Sequence, residues 1–370
     1  MTLLVVLPRR SHADRATPNS VDLCVRDLMT RSRRGGEVCI VTDGPLGLFS
    51  SFRTKSFPPS VTTHSFLRAS YVARLAHSER ADLVIVHQQF QVAARLARLL
   101  PGRVVFHAHG FYKRYRPGLL NSIRRFNRRR ELARLAGLVH VSEACRAHFA
   151  EAWPDVRLPQ AVVPNGLDFS QWRPQRQRLQ EIICVSRCVP EKGVLEAAQA
   201  VARVLVERPE WRARFILSEP GRKPEYECRV LVVLSQPAIS DRVVIEFSLS
   251  WECVRERYER AAIALVPSRW REPFGRTALE AHAGGAALIS SGTGGLREVS
   301  GPFALFVAPD DVAGFAEAIK RLIDDEALRY RLAEEGARFV RERFSVETVA
   351  AVNDDFLERL LVNRATRQYR

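Results

Sequence analysis

Short, mostly apolar runs alternate with amphipathic helical patterns along the first part of the chain. The apolar runs are 3-LLVVLP-8, 37-EVCIVT-42, 82-DLVIVH-87, 103-RVVFHAH-109 and 137-GLVHVS-142. Because they are apolar at consecutive positions, they are typical of strands that are buried on both faces of a parallel sheet. Helical patterns such as 20-SVDLCVRDLMTRS-32 and 91-QVAARLARLL-100 lie between them. This alternation predicts βαβ units.

A polar stretch then interrupts the alternation. The segment 162-VVPNGLDFSQWRPQRQR-178 contains prolines, an Asn–Gly pair and several arginines, as expected for a linker between domains. After it the alternation restarts, with strands predicted at 181–186, 213–218, 242–247, 262–267 and 286–290. The pattern predicts an α/β protein with two Rossmann-like, doubly wound domains that face a cleft, residues 1–170 and 171–344.

The composition agrees with two globular domains. A chain of 370 residues, 46% of them hydrophobic, is long enough for two cores, and no stretch reaches the roughly 18 apolar residues of a membrane helix. The opening 2-TLLVVLP-8 lacks a basic leader, so we expect a first strand there and not a signal peptide. The seven cysteines form no C-x-x-C pair, which favours a reducing cytoplasm.

The net charge is +16, and the position of the basic residues matters more than their number. Only five of the 57 basic residues are lysines, so a general preference for arginine also explains the excess. The segment 111-FYKRYRPGLLNSIRRFNRRRELAR-134, however, combines nine basic residues with a single acid and several apolar side chains. Two interpretations stay open: a surface for anionic membrane lipids, or a solvated helix whose apolar side is core. Nucleic acid is not expected as a partner, because no binding motif accompanies the charge.

In open α/β sheets, ligands bind beyond the carboxyl ends of the strands. The segment 268-SRWREPFGRTALEAHAGG-285 follows a predicted strand and places Glu272 on a loop and Glu280 in a helix that begins near Gly275. The start of such a helix offers unpaired N–H groups to a phosphate or sugar oxygen, and each carboxylate can accept hydrogen bonds from a diol. Taken alone, the two glutamates are also compatible with an ordinary strand, turn and helix.

The residues around the two glutamates point to a particular protein family more specifically than the glutamates alone. The stretch "EPFGRTALE", Glu272 to Glu280, is preceded by "ALVPS" and followed by "LISSGTGGLREV". It resembles the glycosyltransferases of family four, which have the two-domain GT-B fold and a Glu, seven residues, Glu signature. The resemblance implies transfer of a hexose or related sugar from a nucleotide-diphosphate sugar to a hydroxyl of a glycan or lipid-linked acceptor, with retention of anomeric configuration. It also implies a role in bacterial lipopolysaccharide or exopolysaccharide synthesis.

The same resemblance assigns the residues that would bind the donor diphosphate. Arg187 and Lys192 would supply two fixed cations, which offset the charge that grows on a departing nucleoside diphosphate, so neither a metal ion nor a cofactor is expected. Without the resemblance, the pair would more often be a surface arginine and a lysine at a helix start. Gly294 and Gly295, in 290-SSGTGGLREVSG-301, would let the backbone approach the sugar or the phosphates.

Contacts with the sugar and the nucleoside are implied for the opening motif itself. Glu272, with the amides of Phe274 and Gly275, would hold hydroxyls of the transferred sugar. Glu280 would bind the ribose diol, since a carboxylate accepts hydrogen bonds from neighbouring hydroxyls.

The first domain is expected to supply the acceptor side. Strand 103–109 ends in His107 and His109, and the resemblance matches His109, which precedes Gly110, to a functional histidine that contacts the transferred sugar. His109 and Glu272 are therefore the predicted catalytic residues, and which of His107 and His109 faces the cleft stays open. No H-E-x-x-H helix and no third clustered ligand are expected nearby, so no metal site is predicted.

Helices are also predicted in two segments near the ends of the chain. Many relatives have a glycine pair after the first strand, whereas this chain has 8-PRRSHADRATPNSVDLC-24. A helix is predicted to begin near Pro18 with Thr17 as its cap, and the ligand contacts of this loop stay open. The last helical pattern, 345–362, would by resemblance cross back to the first domain, so residues 345–370 are assigned to that domain.

Two other functions also fit a basic, doubly wound chain. An oxidoreductase with a nucleotide cofactor would share the fold, but the first βα turn lacks G-x-G-x-x-G. A non-catalytic basic adaptor for membranes or nucleic acid would explain the arginines but not the ordered site residues. We expect a cytoplasmic enzyme, with the inner face of the cytoplasmic membrane as its location if residues 111–134 bind lipid. The donor base and sugar, the acceptor, the linkage and the oligomeric state stay open.

Overall fold

Two parallel sheets organise the chain, one in each of two units. The computed structural model describes residues 2–9, 19–44, 47–61, 64–115 and 118–368. The first unit comprises Met1–Leu167 and Val346–Arg370, and the second comprises Asp168–Ser345. Helices follow the strands of both sheets. The predicted fold class, a pair of Rossmann-like doubly wound α/β domains, is confirmed.

The first unit is built on a seven-stranded sheet. Its strands are β1 (Leu3–Val6), β2 (Val38–Thr42), β3 (Arg53–Ser56), β4 (Leu83–His87), β5 (Val104–Ala108), β6 (Gly137–His140) and β7 (Gln160–Val162). They lie in the order β3-β2-β1-β4-β5-β6-β7 and pair in parallel. The connecting helices are α1 (Ser20–Arg31), α2 (Ser65–Ser78), α3 (Phe90–Leu99), α4 (Leu119–Leu132) and α5 (Glu143–Ala152). The strand order reverses between β1 and β4, the position where ligands bind in such sheets.

Consecutive residues of β1 point to opposite faces of this sheet. Leu4 and Val6 belong to one hydrophobic cluster, whereas Leu3 and Val5 belong to the other. All four side chains are fully buried. Burial of one such side chain is worth roughly 1.5–3 kcal/mol, so a run of consecutive apolar residues stabilises a strand only when helices cover both faces.

The second unit repeats the architecture with a six-stranded sheet. Its strands are β8 (Leu179–Arg187), β9 (Arg212–Ser218), β10 (Val243–Phe247), β11 (Ala261–Val266), β12 (Ala287–Ser290) and β13 (Ala304–Phe306). They lie in the order β10-β9-β8-β11-β12-β13. The helices are α6 (Val194–Glu207), α7 (Pro224–Leu234), α8 (Trp251–Tyr258), α9 (Arg276–Ala283), α10 (Leu296–Ser300), α11 (Val312–Asp324) and α12 (Glu326–Phe344). Here the strand order reverses between β8 and β11.

The final helix, α13 (Val346–Gln368), packs on the first unit. Phe356 lies in the hydrophobic cluster that contains Leu3 and Val5 of β1. The buried Asp354 carboxylate accepts hydrogen bonds from Ser32 Oγ and from the backbone N–H of Arg33, both at 2.7 Å. The helix therefore covers one face of the first sheet and anchors the end of α1.

Some short elements differ from the prediction or were not predicted. The strands β3, β7 and β13 were not predicted, because each has only three or four residues and lies at a sheet edge. Helix α1 begins at Ser20, where Asn19 Oδ1 accepts hydrogen bonds from the N–H groups of Val21 and Asp22, both at 2.9 Å. The predicted cap, Thr17, lies outside the described residues.

None of the described helices combines the length and the apolar character that crossing a bilayer requires.

Candidate functional site

Three neighbouring strands of the second sheet send their loops to the same edge. β8, β11 and β12 are adjacent and parallel, so their carboxyl ends meet. The loop after β8 carries Lys192, the loop after β11 carries Glu272, and the loop after β12 carries Gly294 and Gly295. The sheet order thus collects the predicted donor residues, which are far apart in sequence, at one edge.

Glu272 lies at the centre of this group. The residue is 6% exposed, and its carboxylate accepts hydrogen bonds at Oε1 from Lys192 Nζ and Ser268 Oγ, each at 2.5 Å. A buried carboxylate needs such partners, because an unpaired buried charge is costly. The structure therefore pairs the residue predicted to hold the sugar with one of the cations predicted to hold the diphosphate. Ser268 is a partner that the sequence did not indicate.

A glycine allows the loop after β8 to approach the loop after β11. Gly193 directly follows the turn Pro190–Lys192 and has a φ of +67°, in the left-handed region. A Cβ atom at this position would lie 2.1 Å from the carbonyl oxygen of Pro267. Any other residue would therefore push Lys192 away from Glu272.

The glycine loop after β12 packs directly against Glu272. Gly294 forms an isolated parallel bridge with Glu272, and the N–H of Gly295 donates to the Glu272 carbonyl oxygen at 2.8 Å. Gly294 has a φ of +59°, and a Cβ there would lie 2.2 Å from that same carbonyl oxygen. The two glycines therefore have a packing reason to be present, besides the predicted approach to a ligand.

Glu280 has a different partner. It lies in the middle of α9, is 6% exposed, and its Oε1 accepts a hydrogen bond from Arg276 Nε at 2.8 Å, one helical turn earlier.

The side chain of Phe274 is buried against Phe344 of α12, with ring centroids 5.6 Å apart. Gly275 is the N-cap of α9, with a φ of +108°. Any ligand contact of Phe274 and Gly275 therefore involves their backbone.

Arg187 differs from Lys192 in having no ion partner among the residues that the structure describes. It is the last residue of β8 and is partly exposed. Among the described residues, its guanidinium forms neither an ion pair nor a side-chain hydrogen bond. A guanidinium binds a phosphate in a bidentate manner, so Arg187 is available to an anionic ligand while Lys192 is already engaged by Glu272.

The residues just before Glu272 brace the loop. Arg269 pairs with Glu196 of α6 at 3.1 Å and with Asp310 at 2.6 Å. The N–H groups of Arg269 and Trp270 donate to the carbonyl oxygen of Glu191 at 3.0 and 3.2 Å, and Thr293 Oγ1 donates to the carbonyl of Trp270 at 2.7 Å. These contacts join the three loops that carry the predicted donor residues.

In the first unit, three histidines meet at the ends of two strands. The parallel register of β4 and β5 pairs His87 with His107, and their rings stack with centroids 4.6 Å apart. His107 also stacks on His109 at 4.6 Å, and His87 Nδ1 lies 2.9 Å from His109 Nε2. The expectation that no third potential ligand clusters here is wrong, because the sheet register brings in His87.

These imidazoles are neutral at neutral pH. Burial lowers the pKa of His87 and His107 well below 6.5 and that of His109 to about 4. The ligand nitrogens lie within 4.8 Å of one another, which is compatible with a metal ion. Both ring nitrogens of His107 and Nε2 of His87 are buried and have no hydrogen-bond partner in the described part of the chain. Neutral His109 can exchange hydrogen bonds with a sugar hydroxyl, but it does not contribute a charge.

The basic segment forms helix α4, and its apolar side chains are not core. Leu119, Leu120, Ile123 and Phe126 are 81%, 71%, 53% and 58% exposed, and among the described residues of α4 only Leu132 is buried. The interpretation of a solvated helix whose apolar side is core is therefore wrong for these four positions. The helix presents an apolar stripe between arginines.

Comparisons with known proteins agree with this architecture. A family model described as Glycosyl transferases group 1 matches residues 169–339, and one described as Glycosyltransferase Family 4 matches residues 29–171. Relatives include MMP alpha-(1->4)-mannosyltransferase of Mycolicibacterium hassiacum, 34% identical over 51% of this chain and 46% of that protein. Another is lipopolysaccharide 1,2-N-acetylglucosaminetransferase of Salmonella typhimurium, 28% identical over 55% of this chain and 58% of that protein. The chain thus spans about half the length of these relatives.

Solved structures share the fold over nearly the whole chain. Sucrose-phosphate synthase from Thermosynechococcus elongatus has a TM-score of 0.81 at 19% identity, covering 98% of this chain and 100% of that one. HepE from Anabaena, solved in complex with UDP, has a TM-score of 0.76 at 18% identity, covering 97% and 100%. The chain has the GT-B fold. The two family models of glycosyltransferases match successive parts of the chain, which correspond closely to its two units.

Proposed function

We propose that the protein transfers a sugar from a nucleotide-diphosphate sugar to a hydroxyl of a glycan or lipid-linked acceptor. The observation that carries this proposal is the pairing of Glu272 with Lys192 beside the loop of Gly294, while the Arg187 guanidinium has no ion partner in the described residues. This is a preorganised anion site at the carboxyl ends of β8 and β11, where the strand order reverses.

On this proposal, the second unit holds the donor. Arg187 and Lys192 bind the diphosphate, and the two cations offset the charge that builds up on the leaving group. Glu272 and the backbone of Phe274 and Gly275 hold hydroxyls of the sugar. Glu280, which Arg276 fixes at 2.8 Å, binds the ribose diol.

We place the acceptor on the first unit and infer transfer with retention of configuration. Neutral His109 contacts a hydroxyl of the transferred sugar, and the departing phosphate oxygen takes the proton of the acceptor hydroxyl. The two fixed cations make a metal ion unnecessary for leaving-group departure. A chelator in excess should therefore leave the transfer rate unchanged, even though the three histidines could hold a metal ion.

A membrane-bound acceptor in envelope glycolipid or polysaccharide synthesis is the setting we favour. It is supported by the exposed apolar stripe of α4, whose flanking arginines suit an anionic lipid surface. The names of two relatives point the same way: the Salmonella lipopolysaccharide transferase and a lipopolysaccharide core mannosyltransferase of Rhizobium leguminosarum, which is 25% identical over 60% of this chain and 66% of that protein. HepE has been solved with UDP and with UDP-glucose, which makes uridine nucleotides the first donors to test.

The proposal is tested by a thermal-shift screen of UDP-, GDP- and ADP-sugars, with NADH as a comparison. We expect at least one nucleotide sugar to raise the unfolding temperature and NADH to have no effect. Arg187→Ala should abolish most of this shift, whereas Arg229→Ala, an exposed arginine on α7, should keep it. Stabilisation by NADH alone would instead favour an oxidoreductase, and no stabilisation by any nucleotide would favour a non-catalytic adaptor.

A further inference from the structure

The first unit has a cavity beside His109. It has a volume of about 280 Å³, at the lower end of the roughly 300–1,000 Å³ typical of ligand pockets. Its walls come from the residue after β4, the end of β5 and the loop that follows it, α3, α4 and the residue after α5. The space suits a single ring better than an oligosaccharide.

Aromatic side chains form nearly half of the lining. Six of them line the cavity: Phe90, Phe106, Phe111, Tyr112, Tyr115 and Trp153. They brace one another edge to face, with centroids 5.3 Å apart for Phe90 and Phe106 and 5.9 Å apart for Tyr115 and Trp153. Such contacts fix the rings, so the cavity offers preformed apolar faces with polar tips.

Two polar side chains of this wall are accessible. Gln88 and His109 line the cavity, the first exposed and the second partly exposed. The polar atoms of two aromatic side chains, Tyr112 Oη and Trp153 Nε1, are buried behind the wall and form no hydrogen bond within the described residues. Hydrogen bonds to a ligand therefore come from Gln88 and His109, whereas Tyr112 and Trp153 contribute their rings.

The charges around the cavity have one sign. Lys113 and Arg128 line it, and no carboxylate does so among the described residues. The Arg128 guanidinium lies 4.0 Å from the centroid of Phe90 and 3.6 Å from Glu131, outside the lining. Lys113 is exposed, and its ammonium has no anionic partner in the described part of the chain. The cavity therefore favours an anion.

We propose that this cavity binds the acceptor, and that the acceptor presents there a sugar ring that carries a phosphate or a carboxylate. A sugar ring has an apolar C–H face for the aromatic wall and hydroxyls for Gln88 and His109, and the anionic group pairs with Lys113. This inference rests on the proposed function, because it makes His109 the link between the cavity and the transferred sugar.

The test follows the fluorescence of Trp153 during titration of the whole chain. Trp153 is the only one of the five tryptophans in the first unit, and Trp153→Phe identifies its signal by difference. The probes are glucose 6-phosphate, mannose 6-phosphate, galactose 6-phosphate and glucuronate. Glucose, inorganic phosphate and octyl phosphate are the comparisons. We expect a saturable change with at least one anionic sugar, and weaker or no response to the three comparisons.

Matched variants locate the anion. Lys113→Ala should weaken binding about two- to fivefold, the range for a partly exposed charge pair. Arg114→Ala removes the neighbouring cation, which pairs with Glu151 and does not line the cavity, and should leave binding unchanged. Equal weakening by both variants would indicate only the general positive charge of the segment and would overturn the proposal.

The remaining outcomes separate this inference from the proposed function. No response at Trp153 to any anionic sugar, in a protein that binds a nucleotide sugar, would overturn the acceptor cavity alone. If glucose bound as tightly as the anionic sugars, the anionic group would not be needed, and if inorganic phosphate did so, the ring would not be needed. Tighter binding of octyl phosphate would mean that the cavity prefers an alkyl chain to a sugar ring. Each of these results would overturn the proposal. A response at Trp153 without any nucleotide-sugar binding would overturn the acceptor role together with the proposed function.

Discussion

Glu272 is held by two donors of its own unit, the ammonium of Lys192 and the hydroxyl of Ser268. On the proposed function, a donor diphosphate competes with Glu272 for Lys192, because both are anions. The hydrogen bond to Glu272 holds the lysine side chain in position before the ligand arrives. It also makes Arg187, which has no ion partner among the described residues, the first group to meet the phosphate.

The pairing of Glu272 with Lys192 can be measured by a double-mutant cycle. Lys192→Ala, Glu272→Ala and the double variant should show a coupling of about 0.5–3 kcal/mol in the free energy of unfolding, because either single change leaves a largely buried charge without its partner. Urea denaturation provides the measurement. Additive effects of the two changes would mean that the ion pair does not form in solution.

The buried histidines predict how stability depends on pH. Burial lowers the pKa of His109, His140 and His282 to about 4, and that of His87 and His107 well below 6.5. The unfolded chain, with ordinary histidines near pH 6.5, therefore binds more protons than the folded one at mildly acidic pH. The free energy of unfolding should be steady above about pH 7 and should fall as the pH drops from about 6.5 towards 4.

Urea denaturation between pH 7.5 and 4.5 checks this expectation. His107→Gln should flatten the pH dependence, because it removes one buried imidazole, although it also lowers stability at pH 7.5. A free energy of unfolding that stays constant from pH 7 to pH 5 would contradict the buried, neutral state of the cluster.

At the scale of elements, the central strands were predictable because each is a continuous apolar run. The edge strands β3, β7 and β13 were not, since RTKS, QAV and ALF are too short or too polar for a clear signal. The sequence placed Glu272 and Lys192 after strands, but their contact depends on β8 and β11 being neighbours. In the same way, His87 joins the other histidines only through the register of β4 and β5.

Helix α4 illustrates a limit of pattern-based prediction. The spacing of Leu119, Ile123 and Phe126 indicates one apolar side, but the same pattern describes a core-facing and a solvent-facing helix. The three-dimensional position decides between them, because α3 and the first sheet pack against the opposite side, at Leu132.

Replacing this apolar stripe should weaken membrane binding and not the fold. The variant Leu119→Ser, Ile123→Ser and Phe126→Ser should unfold at nearly the same temperature as the parent, since exposed positions usually change stability by no more than about 0.5 kcal/mol each. Sedimentation with vesicles that contain anionic lipid should show binding weakened about tenfold or more.

A control for this variant is Phe66→Ser, which removes an equally exposed aromatic residue from α2. It should bind the vesicles like the parent chain. Unchanged vesicle binding of the triple variant, or equal binding of the parent to neutral and anionic vesicles, would remove α4 as a lipid-binding surface.

At the scale of the whole molecule, the two units carry different chemistry. The second unit holds a buried carboxylate that pairs with Lys192, and a second cation, Arg187, that has no ion partner among the described residues. On the proposed function, this arrangement suits a nucleotide diphosphate. The first unit holds neutral histidines and an aromatic cavity, which suit an acceptor. The alternation of strands and helices predicted both sheets. The cavity could not be predicted, because its walls come from several elements that are separate in sequence.

Calorimetric titration of the nucleotide sugar that gives the largest thermal shift tests the donor site most directly. We expect one binding site on the parent chain and on Arg229→Ala. Arg187→Ala and Glu280→Ala should each weaken binding about 10- to 150-fold, the value of one charge-assisted contact. Unchanged affinity in both variants, with the fold intact, would contradict the proposed glycosyltransferase site.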